Sequence, residues 1–150
     1  MADVFISHTH SAGEIARRIA DDFAKNGISC WYAERDMKPG QFAGVITRAI
    51  RDCKIFLLIW NKEANHSEYI KSELSLALRQ SFNYENITLL PFRVDDSDMK
   101  QDDLKYYLRG FHVIDGCPPD ERHILELRKR VFRILGRGKN TPEVRFSQRA

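Results

Sequence analysis

Two residues four apart, Tyr69 and Glu73, carry the main chemical interest of this sequence. They lie in HSEYIKSELSLAL (66–78), which reads as one helix with acids, a tyrosine and a lysine on an apolar framework. Glu68, near the helix start, is explained by the macrodipole. Glu73 sits a turn and a half further in, one turn after Tyr69 and beside the apolar stripe formed by Ile70, Leu74, Ala77 and Leu78. It reads either as an ordinary solvated helix residue or as the sole carboxylate of an active site. His8 and His10 form an H-x-H that lacks an evident third metal ligand, so no metal site is expected. Cys30, Cys53 and Cys117 make neither a CxxC nor an even framework, and the simplest reading is free thiols in a reducing cytoplasm.

The elements that must position these groups alternate along the chain. DVFISH (3–8), ISCWY (28–32), KIFLLIW (54–60), ITLLPFRV (87–94) and FHVID (111–115) read as strands. Between them, Ile15, Ile19 and Phe23 mark one helix, and Val45, Ile46, Ala49 and Ile50 another. The helix around Glu73 follows over 67–82, then a weaker one over 99–108, then one carrying Ile124, Leu127, Val131 and Leu135. KIFLLIW is apolar on both faces, as a central parallel strand should be. Pro91 should lie at a strand end or at an unpaired position.

Five β-then-α units predict an α/β fold: a doubly wound, flavodoxin-like, five-stranded parallel sheet with helices on both faces. Right-handed crossovers place the loops after the strands on one rim. That rim would collect Ser7, His8, Thr9 and His10, the polar loop AERDMKPGQF (33–42), and Asn61 to His66. Both Tyr69 and Glu73 should point into the cleft above the first and third strands.

Composition narrows the classes. With 150 residues, 43% hydrophobic and 30% charged, the chain fits one domain with a real core. A net charge of +3 is too small to argue for nucleic acid. The positive excess falls late, in Arg128, Lys129, Arg130, Arg133, Arg137, Lys139, Arg145 and Arg149, and reads as a solvated helix face followed by a basic tail. No apolar run suits a membrane span, and the start lacks the regions of a signal peptide. Trp31 and Trp60 are expected to pack in the core or at the rim, and Cys30 and Cys53 to be small buried hydrophobes. Residues 1–135 are expected to form the domain, with 136–150 a basic linker or tail that could lead to a further domain.

DVFISH, WYAERDMKPGQF, FLLIW and a serine-started helix with an aromatic four before Glu resemble, in this order, a Toll/interleukin-1 receptor (TIR) domain over about residues 3–135. The resemblance implies that 33–42 is the family's BB loop, with Arg35, Asp36, Pro39 and Gly40 serving TIR–TIR assembly. Enzymatic members hydrolyse or cyclise NAD+ with one glutamate, which by position is Glu73; the aromatic before it is often Trp and here is Tyr69. Ser7, His8, Thr9, Phe42 and Tyr69 fall where the family meets substrate. NAD+ would be substrate and not cofactor, so no cofactor is implied and no Gly-rich fingerprint is required. Implied partners are NAD+, further TIR domains and an upstream sensor, with neither nucleic acid nor membrane. The competing implication is a non-catalytic TIR adaptor. A phosphoacceptor receiver, which shares the layout, needs an acidic pair after the first strand and an aspartate ending the third; Ser7-His8 and Trp60-Asn61 stand there instead.

Overall fold

A computed structural model describes residues 1–41, 43–84, 86–96 and 103–136. Phe42, the start of the 99–108 helix and the tail 137–150 lie outside the described residues. The elements are β1 (Val4–Ser7), α1 (Gly13–Lys25), β2 (Cys30–Trp31), α2 (Ala33–Asp36), α3 (Ala43–Asp52), β3 (Ile55–Trp60), α4 (Glu68–Tyr84), β4 (Thr88–Arg93), α5 (Asp103–Leu108), β5 (Ile114–Asp115) and α6 (Glu121–Leu135). All strands are parallel, in the order β2-β1-β3-β4-β5. This is the expected doubly wound sheet, and its order reverses between β1 and β3, where open α/β sheets bind ligands.

β3 is central because each of its side chains has a layer to enter. Ile55, Leu57 and Ile59 pack with Ile19, Phe23, Leu127 and Val131 under α1 and α6. Phe56, Leu58 and Trp60 pack with Ile50, Ile70, Leu74 and Ala77 under α3 and α4. Each such side chain, fully buried, contributes about 1.5–3 kcal/mol of transfer free energy. The helices therefore cover both faces, leaving the strand ends as the place for polar groups.

Pro91 lies inside β4, opposite Leu58. The Thr88 and Val94 amides donate to Lys54 and Trp60 on the β3 side, so by alternation Pro91 faces the other way. There β5 pairs only from Phe92 and Arg93 onward, so the missing donor costs no ladder bond.

The polar stretch after β2 differs from the loop expected. Its first half is α2, a turn of helix beginning directly after Tyr32. Asp36 accepts from the Tyr32 amide at 3.0 Å and from the Arg35 Nε at 2.8 Å, while Arg35 also donates to the Cys30 carbonyl at 2.6 Å. These local bonds satisfy amides that a free loop would leave to water. The second half closes on itself: the Lys38 amide donates to Gln41 Oε1 at 2.7 Å and the Gln41 amide to the Lys38 carbonyl at 3.1 Å. Pro39 and Gly40, with Gly40 at φ +86°, occupy the central positions of a type II turn that requires that backbone.

Among the described residues no helix is long and apolar enough to cross a membrane, and the three cysteines are free. Cys53 is buried as expected, whereas Cys30 is only half-buried, because β2 is a two-residue edge strand. Trp60 is buried and donates its Nε1 to Asn65 Oδ1 at 2.7 Å; Trp31 stacks on Phe5 at 5.3 Å.

Candidate functional site

The site begins with a serine at the C-terminal end of β1. Ser7 is 1% exposed because it ends a strand buried on both sides, and its hydroxyl points across the switch point. α4 starts beyond β3, where the Ser67 hydroxyl caps it by accepting from the Ile70 amide at 3.1 Å. That start sets the helix phase: Ile70, Leu74 and Ala77 go into the core and Glu73 comes opposite Ser7. The expected fourth stripe member, Leu78, is only partly buried; Ser81 is buried at the next turn instead.

Ser7 Oγ donates to Glu73 Oε1 at 2.7 Å. Glu73 is 5% exposed, which contradicts its reading as a solvated helix residue. Burial pushes its carboxyl from 4.5 up to about 7, against the hydrogen bonds from Ser7 and Tyr69, which favour the charged form. Tyr69 is half-exposed, and its phenol is shifted upward by burial first and then by the charge of Glu73. One turn of helix thus brings the expected pair together, one residue at the cleft wall and the other beneath it.

A cavity of about 330 Å³ opens over Glu73, lined by Ile6, His8, Thr9, His10, Ala33, Glu34, Ser67 and Tyr69. His8 Nδ1 donates to the Thr9 carbonyl at 2.6 Å, and its ring meets Tyr32 edge-on at 5.7 Å. Thr9 Oγ1 donates to Asn61 Oδ1 at 3.3 Å, and Asn61 Nδ2 donates to Ser11 Oγ at 3.0 Å, tying the β1 rim to the β3 rim. His10 is exposed and its Nδ1 lies 3.4 Å from Glu34 Oε2. The two histidines of the H-x-H therefore have different neighbours, and no group of three metal-ligating side chains occurs among the described residues.

The structure brings His8, Thr9, Tyr69 and Glu73 to one cavity. Ser7, expected to meet substrate, does not line it: it is buried behind Glu73, with its hydroxyl bonded to that carboxylate. Arg35 and Asp36 lie beside the cavity, in α2, with the Arg35 guanidinium 4.8 Å over the Tyr32 ring. Pro39 and Gly40 stand at the exposed tip beyond. Phe42 is outside the described residues. Sequence reasoning missed Glu34 as a lining residue, and Asn61 as the brace between rims. The available signal was position: both belong to segments directly following strands, which the crossover rule sends to this rim.

The Ser7 bond makes a sharp expectation. In Ser7→Ala the carboxylate of Glu73 loses a buried donor, so its pKa should rise further, by about one pH unit. Carbon-13 NMR titration of the Glu73 carboxyl measures it; an unchanged or lower midpoint would show that the hydroxyl is not what stabilises the charge.

A family model described as a TIR domain matches residues 4–128. The chain is 33% identical over 113 residues to a stimulator of interferon genes protein from Magallana gigas, a match covering 74% of this chain and 27% of that protein. It thus spans about a quarter of the length of that relative. Among solved structures, the TIR-STING receptor from C. gigas in complex with 2′,3′-cGAMP is similar at 26% identity and a TM-score of 0.71, over 87% of this chain and 39% of that one. The TIR domain of a Toll-related receptor from Hydra magnipapillata shares the fold, at 18% identity and a TM-score of 0.69, over 87% of this chain and 98% of that one.

Proposed function

The chain belongs to the TIR-domain family, and from that premise we propose that it cleaves the bond between nicotinamide and ribose in NAD+, as a hydrolase or cyclase. The observation carrying this reading is Glu73: a buried carboxyl, held by Ser7 where it lines the switch-point cleft, with a pKa moved to about 7. Perturbed acids in clefts are where chemistry concentrates. A non-catalytic adaptor would have no use for a buried acid whose ionisation opposes folding.

The chemistry needs only one carboxylate. As the N-glycosidic bond breaks, its electron pair goes to the pyridinium nitrogen, and nicotinamide leaves neutral without a general acid. Positive charge develops on the ribose carbon, as in glycoside cleavage. Ionised Glu73 would hydrogen-bond the ribose hydroxyls and stabilise that charge, while Ser7 and Tyr69 hold the carboxylate in place. Water, or a nucleophile within the same substrate, then adds to the ribose carbon. Tyr69, half-exposed on the cavity wall, offers the nicotinamide ring a face to pack on.

The exposed turn at Lys38–Gln41 supports self-association as the means of activation, and the likeness to a stimulator of interferon genes protein and to a receptor complexed with 2′,3′-cGAMP supports an effector role in an immune system, under a sensor domain. A cytoplasmic setting is part of the same proposal. Incubation of the purified chain with NAD+ and chromatographic identification of products tests the reading. Nicotinamide together with linear or cyclic ADP-ribose is expected; intact NAD+ at high protein concentration would favour the adaptor.

A further inference from the structure

Among the described residues that line the cavity over Glu73 there is no lysine or arginine to pair with its carboxylate. That lining contains two carboxylates, Glu34 and Glu73. The hydrogen-bond partners of Glu73, Ser7 and Tyr69, are both neutral hydroxyls. The nearest lysine on the same helix, Lys71, lies 3.4 Å from Glu68. Arg35 is bonded to Asp36, and Arg17 to Glu14 and Asp21, in and beside the neighbouring cavity. The other titratable groups facing Glu73 are His8 from the end of β1, and His10 and Glu34 across the cavity. A carboxylate this buried is costly without a cationic partner, and among the described residues no lysine or arginine is bonded to it.

We propose that the pyridinium ring of the substrate is the missing counter-charge of Glu73, so that the site selects the oxidised dinucleotide over the reduced one on binding and releases a proton as it does so. This rests on the NAD+ reading above, and deepens it. The oxidised ring carries a full positive charge; the reduced ring has the same substituents and none. With the carboxyl titrating at about 7, part of the unliganded population holds a proton near neutral pH, which the arriving cation expels to solvent. When the bond breaks, positive charge moves from the ring to the adjacent ribose carbon and stays within reach of the same carboxylate. Water then adds to the ribose carbon and gives up a proton, so that no cation remains beside Glu73, which takes up a proton again.

Calorimetric titration of the whole chain with two probes tests this: the 1-methylnicotinamide cation, which has no bond to cleave, and its neutral 1,4-dihydro form. At about pH 8 the cation should bind at least about tenfold more tightly. Its affinity should fall as the pH is lowered to about 6, and near pH 7 the heat should vary with buffer ionisation enthalpy, reporting proton release. Glu73→Gln should abolish both the preference and the release. Persistence of the pH dependence in Glu73→Gln would assign it to His8 or His10 and overturn the inference. Equal affinity for the two probes, or no affinity for either, also overturns it, even if NAD+ is cleaved. A cation preference without cleavage would sustain the cation site and sink the NAD+ reading.

Discussion

Glu73→Gln should cut NAD+ cleavage by about a thousandfold or more and, at about pH 8, make the unliganded protein more stable. The two effects share one cause. The folded protein holds the Glu73 proton up to about pH 7, whereas the unfolded chain releases it near 4.5. Between those values the native state binds more protons than the unfolded state, so this group's contribution to stability falls as pH rises, and levels off above 7. Full ionisation costs up to about 3 kcal/mol. Glutamine keeps the size and still accepts from Ser7, but carries no charge to bury. A gain of about 1–3 kcal/mol is expected at about pH 8, shrinking towards zero near pH 5. Urea denaturation at both values reads the stability and product analysis reads the activity. A variant that loses activity by unfolding, or cleaves NAD+ at a near-normal rate, removes Glu73 from the proposed role.

NAD+ turnover per protomer should rise by about tenfold or more as the protein is concentrated or crowded on a surface. The reason lies in how the stretch after β2 divides. α2 is clamped to the body by Asp36 and Arg35, so the cavity wall at Ala33 and Glu34 is already ordered. The tip at Lys38–Gln41 is exposed, and the two bonds that close its turn are its own. A second protomer that seats against this tip would fix the tip itself in the conformer that completes the site. Gly40→Pro should then abolish the concentration dependence, because proline fixes φ near −65° and this turn holds Gly40 at +86°. Asp36→Ala should weaken it by freeing the Tyr32 amide and Arg35. Both variants should remain folded, since neither removes a core side chain. A constant rate per protomer down to nanomolar protein would mean that one chain suffices.

Much of the fold was legible in the amino-acid pattern because it depends on periodicity. The continuous apolar run 55–60 had to be covered on both faces, and the four-residue spacing of Ile15, Ile19 and Phe23 had to face one layer. The doubly wound order and the rim holding Ser7, His8 and Thr9 follow from crossover handedness. Local hydrogen bonding was less legible. AERD carries as many charges as a loop, and only Asp36 reaching back to the Tyr32 amide turns it into α2.

By itself, the sequence determined the sheet, the family and the nearness of Tyr69 to Glu73, since all three rest on spacing along one chain. The tertiary structure alone decided the state of Glu73. A helix pattern can put an acid beside an apolar stripe, but cannot say whether water reaches it. Burial to 5%, a donor 66 residues away in Ser7 and a described lining without lysine or arginine are set by how α4 docks over β1. Desolvation depends on every neighbour within a few ångströms, from any part of the chain, and this separates an ordinary helix glutamate from a carboxyl titrating near neutral pH.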